Sequence, residues 1–257
     1  MRFRVWKTGV LLVVSFYAQA VFSYEGTLTD NVRISSIHLG YDLQYRVYRP
    51  AGVSDDDSLP SLFVTDGQWY LEYGHFKSVL DQAIGEGLVR PVLVVFLDSR
   101  NPDELEESRR DTEFMCNSEF AAFFSAELVP AIDKEQPVSH KRQDRVILGH
   151  SFGGLNSACF GLMLSDLFSG IAMQSPASDK HVDIVRELYE KSPALPLKMY
   201  LSAGTKNDNL AAVKKFRRVL EAKGYELVFT TVREGHDWRN WGPLLDDVLV
   251  YFFPNTD

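Results

Sequence analysis

Between residues 145 and 160 the chain has to pass from an apolar strand straight into a helix around a single serine, and few folds accommodate that. Arg145-Val146-Ile147-Leu148 runs into Gly149-His150-Ser151-Phe152-Gly153-Gly154, and the helix-compatible Leu155-Asn156-Ser157-Ala158-Cys159-Phe160 follows at once. A serine hydroxyl is a weak nucleophile until it is exposed to a base, and a sharp strand-to-helix turn gives that exposure. Gly149 and Gly153 leave no Cβ where the strand end and the helix start crowd together. The same turn leaves the N–H of Phe152 free to face an oxyanion formed beside Ser151.

The surrounding pattern alternates strand and helix. Val32 to His38 and Leu43 to Tyr48 read as two strands of an antiparallel hairpin at a sheet edge, turning at Gly40-Tyr41-Asp42. Leu62-Phe63-Val64 is a short buried strand, followed by a helix over Trp69 to Ile84, a strand over Val92 to Leu97, a polar loop from Asp98 to Asp111 and a helix from about Ser118 to Ile132. Beyond Ser151 the order continues: helix Gly153 to Leu164, strand Gly170 to Met173, helix Val182 to Tyr189, strand Lys198 to Ser202, helix Leu210 to Lys223, strand Glu226 to Val232 and a final helix from about Trp241 to Phe252. Such alternation predicts an α/β fold with a mostly parallel central sheet covered by helices on both faces. At 257 residues, 45% apolar and 24% charged, with no repeat, low-complexity tract or linker, the chain reads as one domain from residue 21 to 257.

Residues 1–20 differ in kind. Basic Met1-Arg2-Phe3-Arg4-Val5-Trp6-Lys7 precedes an apolar run from Val10 to Tyr17 and then Ala18-Gln19-Ala20, the order of a secretory signal peptide. The apolar run is too short to span a bilayer, so export with cleavage after Ala20 is expected rather than a membrane anchor. Losing Arg2, Arg4 and Lys7 takes the formal charge from -8 to -11, which argues against nucleic acid as a partner. An exported destination permits Cys116 and Cys159 to pair, and two separate buried thiols are the alternative. No Cys/His cluster has zinc-ligand spacing, so no metal is expected.

A base for Ser151 is sought after the last strand. Of the six histidines, only His236 follows it, in Arg233-Glu234-Gly235-His236-Asp237-Trp238-Arg239-Asn240-Trp241. In α/β hydrolases the acid lies between serine and histidine in chain order, at a strand end where it can accept the imidazole N–H. Asp208, just beyond the strand Lys198 to Ser202, fits best, with an N-cap role for the next helix as its alternative. Asp179, after the preceding strand, is the second candidate. The loop Asp66-Gly67-Gln68-Trp69 after the first buried strand is the expected source of a second oxyanion donor, from the N–H of Gln68 or Trp69. Trp69, Tyr70, Tyr73, Trp238 and Trp241 are candidates to line an acyl or aryl pocket, though aromatic residues near helix starts more often belong to the core.

With these pieces assembled, the chain resembles the Putative esterase family of α/β hydrolases, which contains enterochelin esterases, feruloyl esterases, S-formylglutathione hydrolase and mycolyltransferases. The resemblance runs from about Asn31 to Phe253 and rests on Asp66-Gly67-Gln68, Gly149 to Gly154, Gln174-Ser175-Pro176 and Gly235-His236-Asp237-Trp238. Arg110-Asp111-Thr112-Glu113-Phe114-Met115-Cys116-Asn117-Ser118-Glu119-Phe120, with Glu127-Leu128-Val129-Pro130, is most similar to the siderophore-esterase branch. The resemblance implies that Arg110 faces the substrate cleft, beside an anionic or catecholate-bearing group; an Arg110–Glu113 pair is the structural alternative. It also implies a structural Cys116. The spacing Gly204-Thr205-Lys206-Asn207-Asp208 departs from the shorter Gly-Thr-x-Asp form of relatives. Together these features predict an exported serine carboxylester hydrolase of small-molecule esters, needing no cofactor. Acyl transfer on the same triad and a non-catalytic binding module are the alternatives.

Overall fold

A computed structural model describes residues 24–256. The signal peptide expected over residues 1–20 lies outside the described residues. The N-terminal strands β1 (Thr27–Leu28) and β2 (Val32–Ser35) both pair antiparallel with β3 (Asp42–Arg49). The expected edge hairpin is therefore β2–β3, and β3 itself lies inside the sheet, antiparallel to a later strand. Next come β4 (Ser61–Val64), the short helices α1 (Gly67–Glu72) and α2 (Phe76–Gly85), and β5 (Leu93–Asp98). The single helix expected over Trp69 to Ile84 is broken because His75 sits in the left-handed region at φ 48°. The polar stretch expected to be a loop contains a small exposed hairpin, β6 (Arg100–Asn101) with β7 (Glu104–Ser108).

The next segment holds α3 (Arg110–Glu113), then α4 (Ser118–Phe123) and α5 (Val129–Glu135) joined by one π-helical turn over Phe124–Leu128. From there the anticipated alternation holds, with β8 (Arg145–His150), α6 (Phe152–Met163), β9 (Gly170–Gln174), α7 (Asp179–Lys191), β10 (Lys198–Gly204), α8 (Leu210–Ala222) and β11 (Glu226–Val232). The final helix begins earlier than expected, as α9 (Trp238–Trp241), and continues through a 3-10 turn into α10 (Leu245–Phe252). The spatial order β1-β3-β5-β4-β8-β9-β10-β11, with β5, β4, β8, β9, β10 and β11 mutually parallel, is the α/β-hydrolase architecture.

The strands read as unbroken apolar runs because helices cover both sheet faces. Alternate residues go to opposite sides: Phe63, Val95, Ile147, Ile171 and Leu201 join a phenylalanine-rich core with Phe120, Phe124 and Phe160. Leu62, Val94, Val146, Ala172 and Tyr200 pack instead against α2 and α10, among Phe76, Leu80, Leu245 and Leu249. No helix among the described residues is long and apolar enough to cross a membrane.

Cys116 and Cys159 form a disulfide, with their Cα atoms 5.1 Å apart. The pairing left open by the sequence is thereby resolved in favour of the bridge. It ties the segment after α3 to the middle of α6, closing a loop of 43 residues. Loop-closure entropy for that length is worth about 4 kcal/mol in the chain-entropy description. A Cys116→Ala, Cys159→Ala double variant is therefore expected to lose roughly 2–4 kcal/mol of unfolding free energy in urea titrations; an unchanged value would show that the loop is held by packing alone.

Candidate active site

Parallel strands place their C-terminal ends along one edge, where open α/β sheets build their sites. Four neighbouring strands here contribute one residue each: Ser151 follows β8, Ser175 follows β9, Asp208 lies four residues beyond β10, and His236 lies four beyond β11. The β4–α1 loop joins them from the other side of β8.

Ser151 adopts φ 52°, ψ -122°, a region costly for a residue with a Cβ. The turn is held from several directions. Ser151 N–H donates to the Gln174 carbonyl at 2.9 Å, and its own carbonyl accepts from Leu155 at 3.0 Å and Ala177 at 2.8 Å. A Cβ on Gly149 would collide with the Gly153 carbonyl and come within 2.6 Å of Thr65 Oγ1. Glycine is required there because strand end, helix start and the β4 end occupy the same space.

His236 Nε2 lies 2.9 Å from Ser151 Oγ, and its Nδ1 lies 2.8 Å from Asp208 Oδ1. The ring is partly exposed, with 32% of its side chain accessible, whereas the Asp208 side chain is fully enclosed. It does not cap α8, whose N-cap is Asn209. Instead five donors surround it: His236 and the Asn209 N–H on Oδ1, and Ser175 Oγ–H, the Gly204 N–H and Asn240 Nδ2 on Oδ2. Burial pushes this carboxyl up, but the hydrogen bonds from His236, Ser175, Gly204 and Asn209 outweigh it and hold the group below the usual aspartate range. Asp179, the second candidate acid, is the exposed first residue of α7 and has no contact with His236.

On the other flank, Trp69 N–H is spent on the Asp66 carbonyl at 3.0 Å. The N–H groups of Gln68 and Phe152 have no partner among the described residues. Of the two expected donors in the β4–α1 loop, Gln68 is thus the one left available. Arg110 does not pair with Glu113: its Nε and Nη2 fork onto buried Asp66 at 2.7–3.1 Å. The sequence-based alternative of an Arg110–Glu113 pair fails because Glu113 turns away, to accept from the Tyr41 hydroxyl at 2.8 Å. The guanidinium lies 5.1 Å from the Trp69 ring and 5.2 Å from the Phe152 ring.

The aromatic candidates divide. Tyr70 and Trp241 are buried and Tyr73 is exposed, while Trp69 and Trp238 are half-buried. Together with Trp69, Tyr70, Trp238 and Trp241 surround the His150 imidazole, whose burial pushes its pKa well below the ordinary histidine range. An open cleft of about 380 Å³ borders Ser151, Phe152 and His236 and continues past His181 and Asn207. No cluster of His, Cys, Asp or Glu suited to a metal occurs among the described residues. Sequence reasoning assigned no role to Asn240 or to Ser175, although Gln174-Ser175-Pro176 stood out as a motif.

The sequence profile of the Putative esterase family matches residues 36–252. The chain belongs to that family. This places it among the carboxylic ester hydrolases. An uncharacterized protein, YjcH, of Bacillus subtilis is 24% identical over 238 residues, covering 87% of this chain and 96% of that protein. The iron(III) enterobactin esterase of Yersinia enterocolitica is 26% identical over 153 residues, covering 58% of this chain and 42% of its own length. This chain thus matches less than half of that enzyme. Among solved structures, a ferulic acid esterase superposes with a TM-score of 0.73 at 20% identity, covering 90% of this chain and 98% of its own, which shows the shared fold.

Glu113, 2% exposed, is pushed up to about 7, by burial above all, against the opposing effects of Tyr41 and Arg109. Its folded-state value lies above the unfolded one, so its contribution to stability is fully present below about pH 4.5 and is lost as pH rises through about 7. Glu113→Gln keeps an acceptor for Tyr41 and removes the titration. Its stability relative to the wild type is expected to rise between pH 5 and 8, by up to roughly 3 kcal/mol; thermal unfolding curves that stay parallel across that range would contradict the assignment.

Proposed function

We propose that the protein is an exported serine esterase in which Ser151 is the nucleophile, His236 the general base and acid, and Asp208 the residue that orients His236. The observation that carries this reading is the continuous chain Ser151 Oγ to His236 to Asp208, at 2.9 Å and 2.8 Å. Ser151 Oγ attacks the ester carbonyl while Nε2 of His236 takes its proton. The same nitrogen then protonates the departing alcohol, and a water resolves the acyl-enzyme by the reverse transfer. The imidazolium formed in each step is paired with a carboxylate already held as an anion. The free N–H groups of Phe152 and Gln68 are the proposed oxyanion donors, where charge develops on the carbonyl oxygen. Residues 21–257 act as one catalytic domain.

The proposed substrate class rests on the residues that flank Phe152 on the β4–α1 side, outside the lining of the cleft itself. Arg110 spends Nε and Nη2 on Asp66, and its Nη1 has no partner among the described residues. With its guanidinium near the Trp69 and Phe152 rings, Arg110 supports recognition of an anionic or catecholate-bearing acyl group, with Trp69 and Trp238 proposed as apolar contacts for it. Similarity to the enterobactin esterase favours siderophore or aryl esters. Export is supported by the N-terminal order of charge and apolarity and by the disulfide, which persists in oxidising compartments.

Ser151→Ala is expected to reduce hydrolysis of a p-nitrophenyl ester by a factor on the order of 10⁴ or more, with circular dichroism unchanged. Wild-type turnover that persists in this variant would exclude the mechanism. Arg110→Lys keeps a cation for Asp66 but gives up the planar fork. It is expected to raise KM for a dihydroxybenzoyl ester about tenfold while leaving KM for a neutral acetyl ester within about twofold; equal effects on both esters would remove Arg110 from substrate recognition.

A further inference from the structure

Ser175 occupies the end of β9, the strand between the one that delivers Ser151 and the one that delivers Asp208. It is fully buried and sits at φ 44°, outside the comfortable range for a residue with a Cβ. Its N–H is fixed to the Ser202 carbonyl of β10 at 2.9 Å. A buried serine held in such a conformation, where glycine would be easier, points to work for the side chain.

The hydroxyl makes three contacts. Trp241 Nε1–H donates to Ser175 Oγ at 3.0 Å, Asn240 Nδ2 approaches it at 3.0 Å, and Ser175 Oγ lies 2.7 Å from Asp208 Oδ2. An indole N–H can only donate. The Asn240 amide is equally constrained: the same nitrogen lies 3.0 Å from the Gly235 carbonyl and 3.2 Å from Asp208 Oδ2, both of which accept only. Its nitrogen must therefore be on that side, sharing two protons among three acceptors. With both lone pairs of Ser175 Oγ facing donors, its one proton has a single destination, the Asp208 carboxylate. A hydroxyl elsewhere rotates to suit its surroundings; here its direction is set.

We propose that Ser175 is a positioning residue for the triad, whose hydroxyl is oriented by Trp241 and Asn240 to donate to Asp208 Oδ2 and so directs Oδ1 toward His236. This rests on the serine-esterase reading of Ser151, His236 and Asp208. Two backbone donors, Gly204 at 2.6 Å and Asn209 at 2.8 Å, pin the carboxylate near its own loop. The Ser175 bond, at 2.7 Å, reaches Oδ2 from the β9 side, and Asn240 Nδ2 reaches it from α9 at 3.2 Å. As the shorter of the two, the Ser175 bond helps to hold the carboxylate plane at the rotation that presents an Oδ1 lone pair to His236 Nδ1. The device extends one step further, since the Trp241 carbonyl accepts from Gln174 Nε2 at 2.9 Å and Gln174 Oε1 accepts from the Tyr70 hydroxyl at 2.9 Å. Trp241 is thereby held at both its backbone and its indole.

The test uses Ser175→Ala, Ser175→Gly and Trp241→Phe in the full chain, measured on a p-nitrophenyl ester beside wild type and Ser151→Ala. Loss of the hydroxyl is expected to lower kcat about tenfold or more with KM within about twofold, because the contact acts on the triad and not on bound ester. Ser175→Gly relieves the backbone conformation, which offsets part of the cost of leaving Asp208 and Trp241 Nε1 without the hydroxyl, so it should be more stable than Ser175→Ala and yet share the loss in kcat. Trp241→Phe frees one lone pair and lets the hydroxyl turn, giving a smaller loss. In parallel, the His236 Nδ1–H resonance in ¹⁵N-labelled protein reports the bond to Asp208 without substrate, and it should shift or broaden in both Ser175 variants. Unchanged kcat together with an unchanged His236 resonance in Ser175→Gly would overturn the proposal. Absence of turnover in the wild type would overturn the esterase reading instead, and the His236 resonance would still decide the role of Ser175.

Discussion

Asp208 is charged and its side chain has no accessible surface, and an isolated carboxylate moved out of water would cost several kcal/mol. The arrangement of its five donors is therefore the condition on which the rest of the site rests. Those donors come from four places: the strand end after β9, the strand end and helix start around β10, the loop after β11, and α9. None of these segments can move independently without leaving part of the carboxylate unpaired. The active-site edge is rigid because a charge is buried there, and His236 inherits its orientation from that rigidity.

Strand spacing explains why a side chain as long as that of His236 is needed to bridge Ser151 and Asp208. Adjacent strands lie about 4.8 Å apart, so the ends of β8 and β10 are separated by roughly 10 Å with β9 between them. An imidazole arriving from β11 crosses that gap and reaches both sides. The same spacing puts the end of β9 directly under the acid, where Ser175 lies. On the opposite flank β4 is the neighbour of β8, which brings the β4–α1 loop and the Asp66–Arg110 pair beside Ser151.

How much of this could be read from the residues depended on how local the governing interaction was. The elbow around Ser151 was legible because strand, turn and helix are consecutive and the glycine positions follow from crowding within a few residues. The buried strands were legible because both faces are covered, which leaves uninterrupted apolar runs. His236 and Asp208 followed from chain order and strand ends. The break between α1 and α2 was hidden, since the amphipathic pattern runs across His75 and only its backbone conformation interrupts it. The β6–β7 hairpin was hidden because it is short and charged, with β7 exposed and β6 only half-buried, so no apolar alternation marks it. The Arg110–Glu113 alternative was suggested by nearness in sequence, whereas Asp66, the partner of Arg110, comes from the distant β4–α1 loop. Ser175 and Asn240 carried no local signal of their contact with Asp208, which joins residues 33 and 32 positions apart from it.

The position of β11 has a kinetic meaning. It is the last strand and an edge strand, with a single neighbour, β10, and its loop carries the histidine. Contacts between residues 85 positions apart, such as Ser151 with His236, form late because their loop-closure entropy is rewarded only once the intervening elements are in place. A chain with β8 and α6 already folded thus holds a complete elbow with no base beside it. On the proposed mechanism, hydrolytic competence appears only when the final strand docks, so the fold keeps Ser151 without its base until the whole sheet has been assembled.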